Sequence, residues 1–576
     1  MELGTRGPAA SIEERAVIEA VLGPPQPITA HDSRGGHHLR TRRHLLLPTL
    51  HAVNDRFGWV SQPAIDHIAE RLDLSPAQVY GVATFYRLFS TSERPTRQIH
   101  VCVDLACRAA GGLTESDLPV GAESSACLGL CEQAPAALAI EAGEVPKRQA
   151  LGHVSASEIR RLSNGDDLDT PTGHRPASIP QAGDLDLVLL GRAGRGDPLD
   201  LDAYIADRGL TALAAAHEMG PEGIISAVGE AGLLGRGGAA FPTARKWEAV
   251  AAQATTPHYL VCNADESEPG TFKDRALIEN DPFALLESIC IAAFATGCER
   301  AWIYIRGEYP RAENTLRTAI EIFSQRGLIG GDDGLEINIV RGAGAYICGE
   351  ETAIFNSVEG YRGEPRVKPP FPFEVGLFGK PTAVNNVETL MNVPSIILGR
   401  TIANRRLFCL SGAVAQPGVY EVELGLTLRE LINIAGGPAP GTEPQAVLLG
   451  GAAGRFVAPE AWDLVLTHEA VAAAGLSLGS GVVMVLDKTV DLVDQIRRIA
   501  GFFREESCGQ CVPCRVGTVR QDETVEQLAT GSRGSRLQLL AEIGQVMTDA
   551  SICGLGQTAH AAIESAVTTL GVFADD

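Results

Sequence analysis

Apolar residues recur at spacings of three and four through LLLPTLHAVNDRFGWV and again through PAIDHIAERLDLSPAQVYGVATFYRLF. Side chains at those intervals share one face of a helix, so residues 41–95 are predicted to form a small helical bundle. The period then changes. QIHVCVDLAC alternates like a half-buried strand and ends in cysteines. Clusters of Gly, Asp and Pro after residue 157 predict a connector through about 205. From 206 to 404, helical stretches alternate with the short β-rich runs YLVCN, AWIYI and EINIV. Each run is followed by a loop rich in glycine or acid, which predicts an α/β domain. Over 405–492 the runs LFCLSG, GVYEVE, QAVLLGG and VVMVLD surround one helical stretch, TLRELINIAG. That pattern predicts a compact β-grasp-like module. Residues 493–576 are predicted helical. Residues 1–40 are polar, and their HDSRGGHHLRTRRH segment is expected to be a flexible tail rather than a metal site.

Composition narrows the classes. A chain of 576 residues with 45% hydrophobic content suits several domains. Its net charge of −23 argues against a nucleic-acid partner, which needs a basic footprint. No apolar run approaches the length that spans a bilayer, and the start, MELGTRGPAASIEER, is polar. A cytoplasmic chain without membrane insertion is expected.

Eight of the 13 cysteines fall into two sets of four. In the first, Cys508, Cys511 and Cys514 form Cys-x-x-Cys-x-x-Cys within ESCGQCVPCRVGT. Thr518 stands where a ferredoxin-type run would carry its fourth cysteine, and Cys553 in DASICGLGQTA is the one cysteine left downstream. A helical return would bring Cys553 back to close a 4Fe–4S site. Zinc is the alternative, but it more often uses two Cys-x-x-Cys pairs. Gly509, Gly517, Gly554 and Gly556 would let backbone N–H groups approach the sulfurs. The second set is Cys102, Cys107, Cys127 and Cys131. Two pairs on two loops suit a 2Fe–2S site and a zinc site equally by spacing.

Three further stretches could hold a nucleotide or a flat ring. GLLGRGGAAFPTARKW carries Gly232, Gly235, Gly237 and Gly238 within seven residues, then Lys246. Bare backbone there admits a ring or phosphate, although it lacks dinucleotide-fingerprint spacing. NADESEPGTFKD crowds Asp265, Glu266 and Glu268 after strand YLVC, where ligands of open α/β sheets gather. RGAGAYICGEETAIFNSVEG follows strand EINIV and puts two carboxylates, Glu350 and Glu351, at a predicted helix start. KPPFPF adds Lys368 and stacking rings, and TAVNNVET adds paired amides.

Together GRGGAAFPTARKW, CNADESEPGTFKD, GAGAYICGEE, PPFPFEVGLFGKPT, NNVET, ESCGQCVPCRVGT and SICGLG resemble the flavin subunit of NADH dehydrogenases related to respiratory complex I. Residues 41–160, with CLGLCEQAP, are similar to that family's thioredoxin-like 2Fe–2S subunit. A fusion of the two most resembles the β subunit of cytosolic NAD-dependent formate dehydrogenases that contain molybdenum or tungsten. NAD-reducing hydrogenases carry a similar fused diaphorase. The resemblance implies a multidomain α/β and α+β protein: bundle 41–95, thioredoxin-like domain 96–165, connector 166–205, FMN- and NAD-binding domain 206–404, β-grasp module 405–492 and iron–sulfur domain 493–576. It implies FMN against Gly235, Arg236, Gly237, Gly238, Lys246, Asn263, Asp265, Glu266, Tyr346, Gly349, Glu350, Asn385, Asn386 and Thr389. Phe241, Glu268, Glu351, Lys368 and Phe371 would face NAD or NADH, with Glu268 and Glu350 as the catalytic carboxylates. It resolves both cysteine sets as iron–sulfur ligands. The implied partner is an α subunit with the molybdenum or tungsten cofactor and further clusters. One departure stands out: 19 residues separate Cys107 from Cys127, fewer than the family carries, and a trimmed thioredoxin-like domain is expected.

Overall fold

The computed structural model describes residues 8–24, 42–166, 176–331, 334–400, 404–531 and 534–574. Helices Leu46–Phe57, Gln62–Leu72 and Pro76–Ala83 build the bundle, and a fourth, Ile12–Leu22, packs onto them. That last helix corrects the expectation of a flexible tail through residue 40. Ser11 and Glu14 form a reciprocal capping box at its start, and Ile18 and Leu22 are buried. Glu19 on it pairs with Arg71 of the bundle. Residues 1–7 and 25–40 of the expected tail lie outside the described residues.

Three sheets follow. The first has strands β1 (Arg97–Cys102), β2 (Ala122–Ser125), β3 (Ala136–Glu141) and β4 (Lys147–Gly152) in the order β2-β1-β3-β4. The short segment between Cys107 and Cys127 still contributes β2, which runs parallel to β1. The second has β5 (His258–Ala264), β6 (Cys298–Ile305), β7 (Glu336–Arg341) and β8 (Thr382–Asn386) in the order β7-β6-β5-β8. All its neighbours are parallel. Helices such as Pro282–Thr296 cover it, so β5 is buried almost throughout and carries the near-continuous apolar run of a two-sided strand. The carboxyl ends of these strands deliver NADE, RGEY and NNVET to one edge. The third sheet has β9 (Arg405–Gly412), β10 (Gly418–Glu423), β11 (Pro444–Leu449), β12 (Arg455–Val457) and β13 (Val482–Asp487) in the order β10-β9-β13-β11-β12. Its central pair, β13 and β9, is parallel. Helices Leu492–Glu506, Val512–Ala529, Arg536–Ala550 and Ala561–Leu570 close the chain.

One hydrophobic core runs through the bundle, the parallel-sheet region and the C-terminal helices, while the first and third sheets also have cores of their own. The modules are joined by buried charge. Lys273 Nζ, after β5, lies 2.7 Å from Asp274 and 3.0 Å from Glu388, and all three are buried. Glu388 also accepts a hydrogen bond of 3.0 Å from Leu407 N in β9. Removing one partner of a buried pair leaves charge uncompensated. Glu388→Ala is expected to cost about 3 kcal/mol, read as an earlier midpoint in urea unfolding followed by circular dichroism. A wild-type midpoint would mean that Asp274 alone satisfies Lys273.

Candidate functional site

The glycine loop is a closed turn. Leu234 bridges Pro242, and Gly235 N donates to Phe241 O at 2.9 Å. Gly238 has φ of +116°, which L side chains rarely adopt. Arg236 is turned inward. Its backbone N–H donates to Thr389 Oγ1 at 2.8 Å and its Nη2 to Arg405 O at 3.1 Å. Gly237 lies against Asn386, whose Cβ would be 3.4 Å from an added Cβ. Asn385 accepts from Trp247 Nε1 at 2.9 Å, and Asn386 donates to Asp274 at 2.5 Å. Arg236, Asn385 and Thr389 therefore support the loop from beneath, with polar atoms turned to protein partners.

The acidic loop after β5 folds against the loop after β7. Asn263 Nδ2 donates to Gly349 O at 2.9 Å, and Gly349 borders Asp265. Burial pushes the Asp265 and Glu266 carboxyls up to about 8. Glu266 accepts from the backbone N–H groups of Asp274 (2.8 Å) and Arg275 (3.1 Å), at the start of helix Lys273–Asn280. Glu268 accepts from the Tyr346 hydroxyl and from Ala453 N at 2.9 Å, and burial raises it to about 7. A Cβ on Gly451 would meet Glu268 Oε1 at 2.6 Å, so the third sheet's loop must be bare there.

Glu350 caps helix Glu351–Val358, accepting from Thr352 N (2.8 Å) and Ala353 N (3.0 Å). Lys368 Nζ reaches Glu350 at 3.0 Å and Glu351 at 2.7 Å, and Lys246 reaches Glu351 at 3.3 Å. Burial opposes ionisation of Glu351, but Lys246 and Lys368 outweigh it and hold its pKa below the ordinary value. Phe371 stacks on Phe373 at 5.6 Å, and Phe241 is exposed near Lys246. The sequence-predicted residues thus gather on one edge of the parallel sheet.

Both cysteine sets also come together. Cys508, Cys511, Cys514 and Cys553 line one pocket with Ile347, the neighbour of Tyr346. Gly556 packs where a Cβ would meet Cys514 Cβ at 2.9 Å, and Gly517 where it would meet Met547 Cγ at 2.4 Å. These glycines bring the two segments into contact. Among the described residues, no three His, Cys, Asp or Glu side chains close on a point as one ion requires. The four C-terminal thiols line one pocket, as the ligands of a 4Fe–4S cluster would. In the N-terminal set all four thiols are buried, and Cys127 Sγ lies 3.4 Å from Cys131 Sγ. Cys102 contacts the Cys107 and Cys127 thiols, and none of the 13 cysteines forms a disulfide. Four buried free thiols in one cluster fit a 2Fe–2S group.

Sequence reasoning missed Arg306, Tyr309, Lys273 and Glu388. Arg306 had a readable signal, since it directly follows β6 at the ligand-gathering end of a parallel strand.

Four family models match the chain: the Nuo51 FMN-binding domain over 228–395, the NADH-ubiquinone oxidoreductase-F iron–sulfur binding region over 494–572, a thioredoxin-like [2Fe–2S] ferredoxin over 35–150 and an SLBB domain over 407–452. The F subunit of NADH-quinone oxidoreductase from Aquifex aeolicus (strain VF5) is 44% identical over 389 residues, covering 65% of this chain and 90% of that protein. NADP-reducing hydrogenase subunit HndC of Solidesulfovibrio fructosivorans is 39% identical over 399 residues, covering 66% and 80%. A chain of the NAD+-reducing [NiFe]-hydrogenase crystal structure, in its H2-reduced state, superposes with a TM-score of 0.78 and 32% identity over 92% of this chain and 91% of that one. The zinc alternatives are thereby closed in favour of iron–sulfur. The protein is an NAD-linked oxidoreductase subunit with FMN, NADH, 4Fe–4S and 2Fe–2S binding regions. Among the described residues no helix is long and apolar enough to cross a membrane. With 90% of the Aquifex protein covered at 44% identity, the chain belongs to the family of NADH-quinone oxidoreductase F subunits, and it carries the thioredoxin-like ferredoxin domain on the same polypeptide.

Proposed function

We propose that this protein is the diaphorase subunit of a cytoplasmic NAD-dependent formate dehydrogenase. It carries electrons between NAD or NADH and the iron–sulfur clusters of a catalytic α subunit with a molybdenum or tungsten cofactor. One observation carries the diaphorase reading. The loop after β7 touches two sites at once: Tyr346 bonds Glu268 in the acidic loop, while Ile347 lines the pocket of Cys508, Cys511, Cys514 and Cys553. The formate reading rests on the fused arrangement and the resemblance of the flavin segment. An NAD-reducing hydrogenase diaphorase is the second reading, favoured by the mutual coverage of 92% and 91% with that solved chain.

Bound FMN supplies exchange between electron pairs at nicotinamide and single electrons at iron–sulfur centres. The glycine loop, Asn263, Asp265, Glu266, Gly349 and Asn386 would hold it, with Arg236, Asn385 and Thr389 fixing the loop. Bare backbone at Gly235, Gly237 and Gly238 admits the flat ring and its phosphate. Phe241 and Phe371 present rings for stacking on the exposed side. Glu351, kept ionised by Lys246 and Lys368, would accept the adenosine ribose hydroxyls and repel a 2′-phosphate. Glu268 and Glu350 stand nearest the reacting end in this reading, Glu268 accepting a hydrogen bond from the Tyr346 hydroxyl. Cys102, Cys107, Cys127 and Cys131 would ligate the 2Fe–2S cluster, and the C-terminal four the 4Fe–4S cluster.

Purifying the chain with its native partner and offering formate or hydrogen as reductant for NAD decides the terminal substrate. Formate-driven NADH formation is expected; hydrogen-driven formation would replace this reading with the second. Cys553→Ser is expected to abolish electron exchange between NADH and the partner while the chain keeps its yellow flavin absorbance. Coupled activity surviving in that variant would remove the four-cysteine site from the route. Glu351→Ala is expected to narrow the NADH-to-NADPH ratio of kcat/KM by about tenfold, of the order of one lost charged contact. An unchanged ratio would take nucleotide selection away from Glu351.

A further inference from the structure

The loop that carries Cys127 and Cys131 is roofed by two arginines of the parallel-sheet region. Arg306, directly after β6, is buried. Its Nη2 donates to Cys127 O at 2.5 Å and lies 2.9 Å from Glu308 Oε1. Its Nη1 donates to Glu266 O at 2.6 Å. One guanidinium therefore bonds the backbone of a cluster cysteine and the backbone of the acidic flavin loop. Arg275 Nε donates to Gly129 O at 3.1 Å and its Nη2 bonds Glu132 at 2.5 Å. Tyr309 fills the remaining gap, because a Cβ at Gly129 would lie 2.0 Å from its hydroxyl.

The charges around this loop are not equivalent. Arg275 faces two buried carboxylates, Glu132 and Glu279. Asp104, which accepts from Cys127 N at 3.0 Å, is offset by Arg498 at 3.3 Å. Arg306 pairs with Glu308 through the same Nη2 that meets the cysteine carbonyl, its charge also reaches Asp265, and its Nε has no acceptor among the described residues. The guanidinium is the member of the Arg306–Glu308 pair that bonds the ligand loop.

We propose that Arg306 sets the reduction potential of the 2Fe–2S cluster from outside its ligand set, through its buried charge at Cys127 O. One-electron reduction adds one negative charge to the cluster and its four thiolates. A buried cation held in contact with a ligand residue favours that reduced state. The same guanidinium anchors the acidic loop, so module docking and cluster potential depend on one side chain. Arg306 acts through Cys127 and is a positioning residue.

The test is an electron paramagnetic resonance redox titration of the full chain with FMN and both clusters loaded. Arg306→Gln is expected to disfavour 2Fe–2S reduction about tenfold, a fall of about 59 mV for one electron. The 4Fe–4S midpoint should stay at its wild-type value. Arg306→Lys should keep the 2Fe–2S equilibrium within about threefold of wild type, because the charge remains. Glu308→Gln, which removes the opposing charge, should shift the midpoint upward. A wild-type 2Fe–2S midpoint in Arg306→Gln, or an equal shift of both clusters, overturns the proposal. Should Arg306→Gln lose its 2Fe–2S signal, Glu308→Gln decides, and a midpoint that does not rise overturns it too.

Discussion

A charge removed from water must meet an opposite charge or a set of hydrogen bonds, and the modules of this protein are joined where that requirement is met across their boundaries. Arg148 of β4 pairs with Glu313 of the parallel-sheet region at 2.8 Å. Arg341 of β7 pairs with Asp55 of the bundle at 2.6 Å. Arg498 of helix Leu492–Glu506 pairs with Asp104 beside the N-terminal cysteines. Such pairs contribute little net stability against an apolar substitute, but each is costly to leave half made. They therefore define one arrangement of the modules more than they strengthen it. In a chain with a net charge of −23, these buried or half-buried cations each fix a boundary.

The parallel sheet turns that arrangement into a site. Its strands end together, and the loops after β5, β7 and β8 meet at one edge. Carboxylates crowd there because backbone N–H groups and lysines receive them: Glu266 at a helix start, Glu350 at another, Glu351 between two lysines. Burial still wins at Asp265 and at Glu266, both pushed up to about 8. The edge is consequently part ionised and part neutral near pH 7, with Glu351 held ionised between its two lysines.

Much of this was legible in the sequence wherever a local pattern carries it. Cysteine spacing separated the two sets and pointed to Cys553, and the glycine and acid loops lay after strand-like runs. The N-terminal helix was readable too, since Ser11 and Glu14 stand at capping-box spacing, but the polar composition around them obscured it. Spacing alone did not decide between zinc and iron at the N-terminal set, because both metals accept four thiolates; the family resemblance did. The module contacts were not legible. Arg275 and Glu132 are 143 residues apart, and no periodicity links them. The short strand β2 forms from AESS, with no apolar run, because its neighbour β1 supplies the pairing.

The roof over the N-terminal cysteines has a consequence for how the molecule is made. The four thiols are 2–5% exposed, and Arg306, Arg275 and Tyr309 lie across the loop of Cys127 and Cys131. Iron and sulfide that reach these thiols before the ferredoxin-like module docks on the flavin module are sealed inside by the docking.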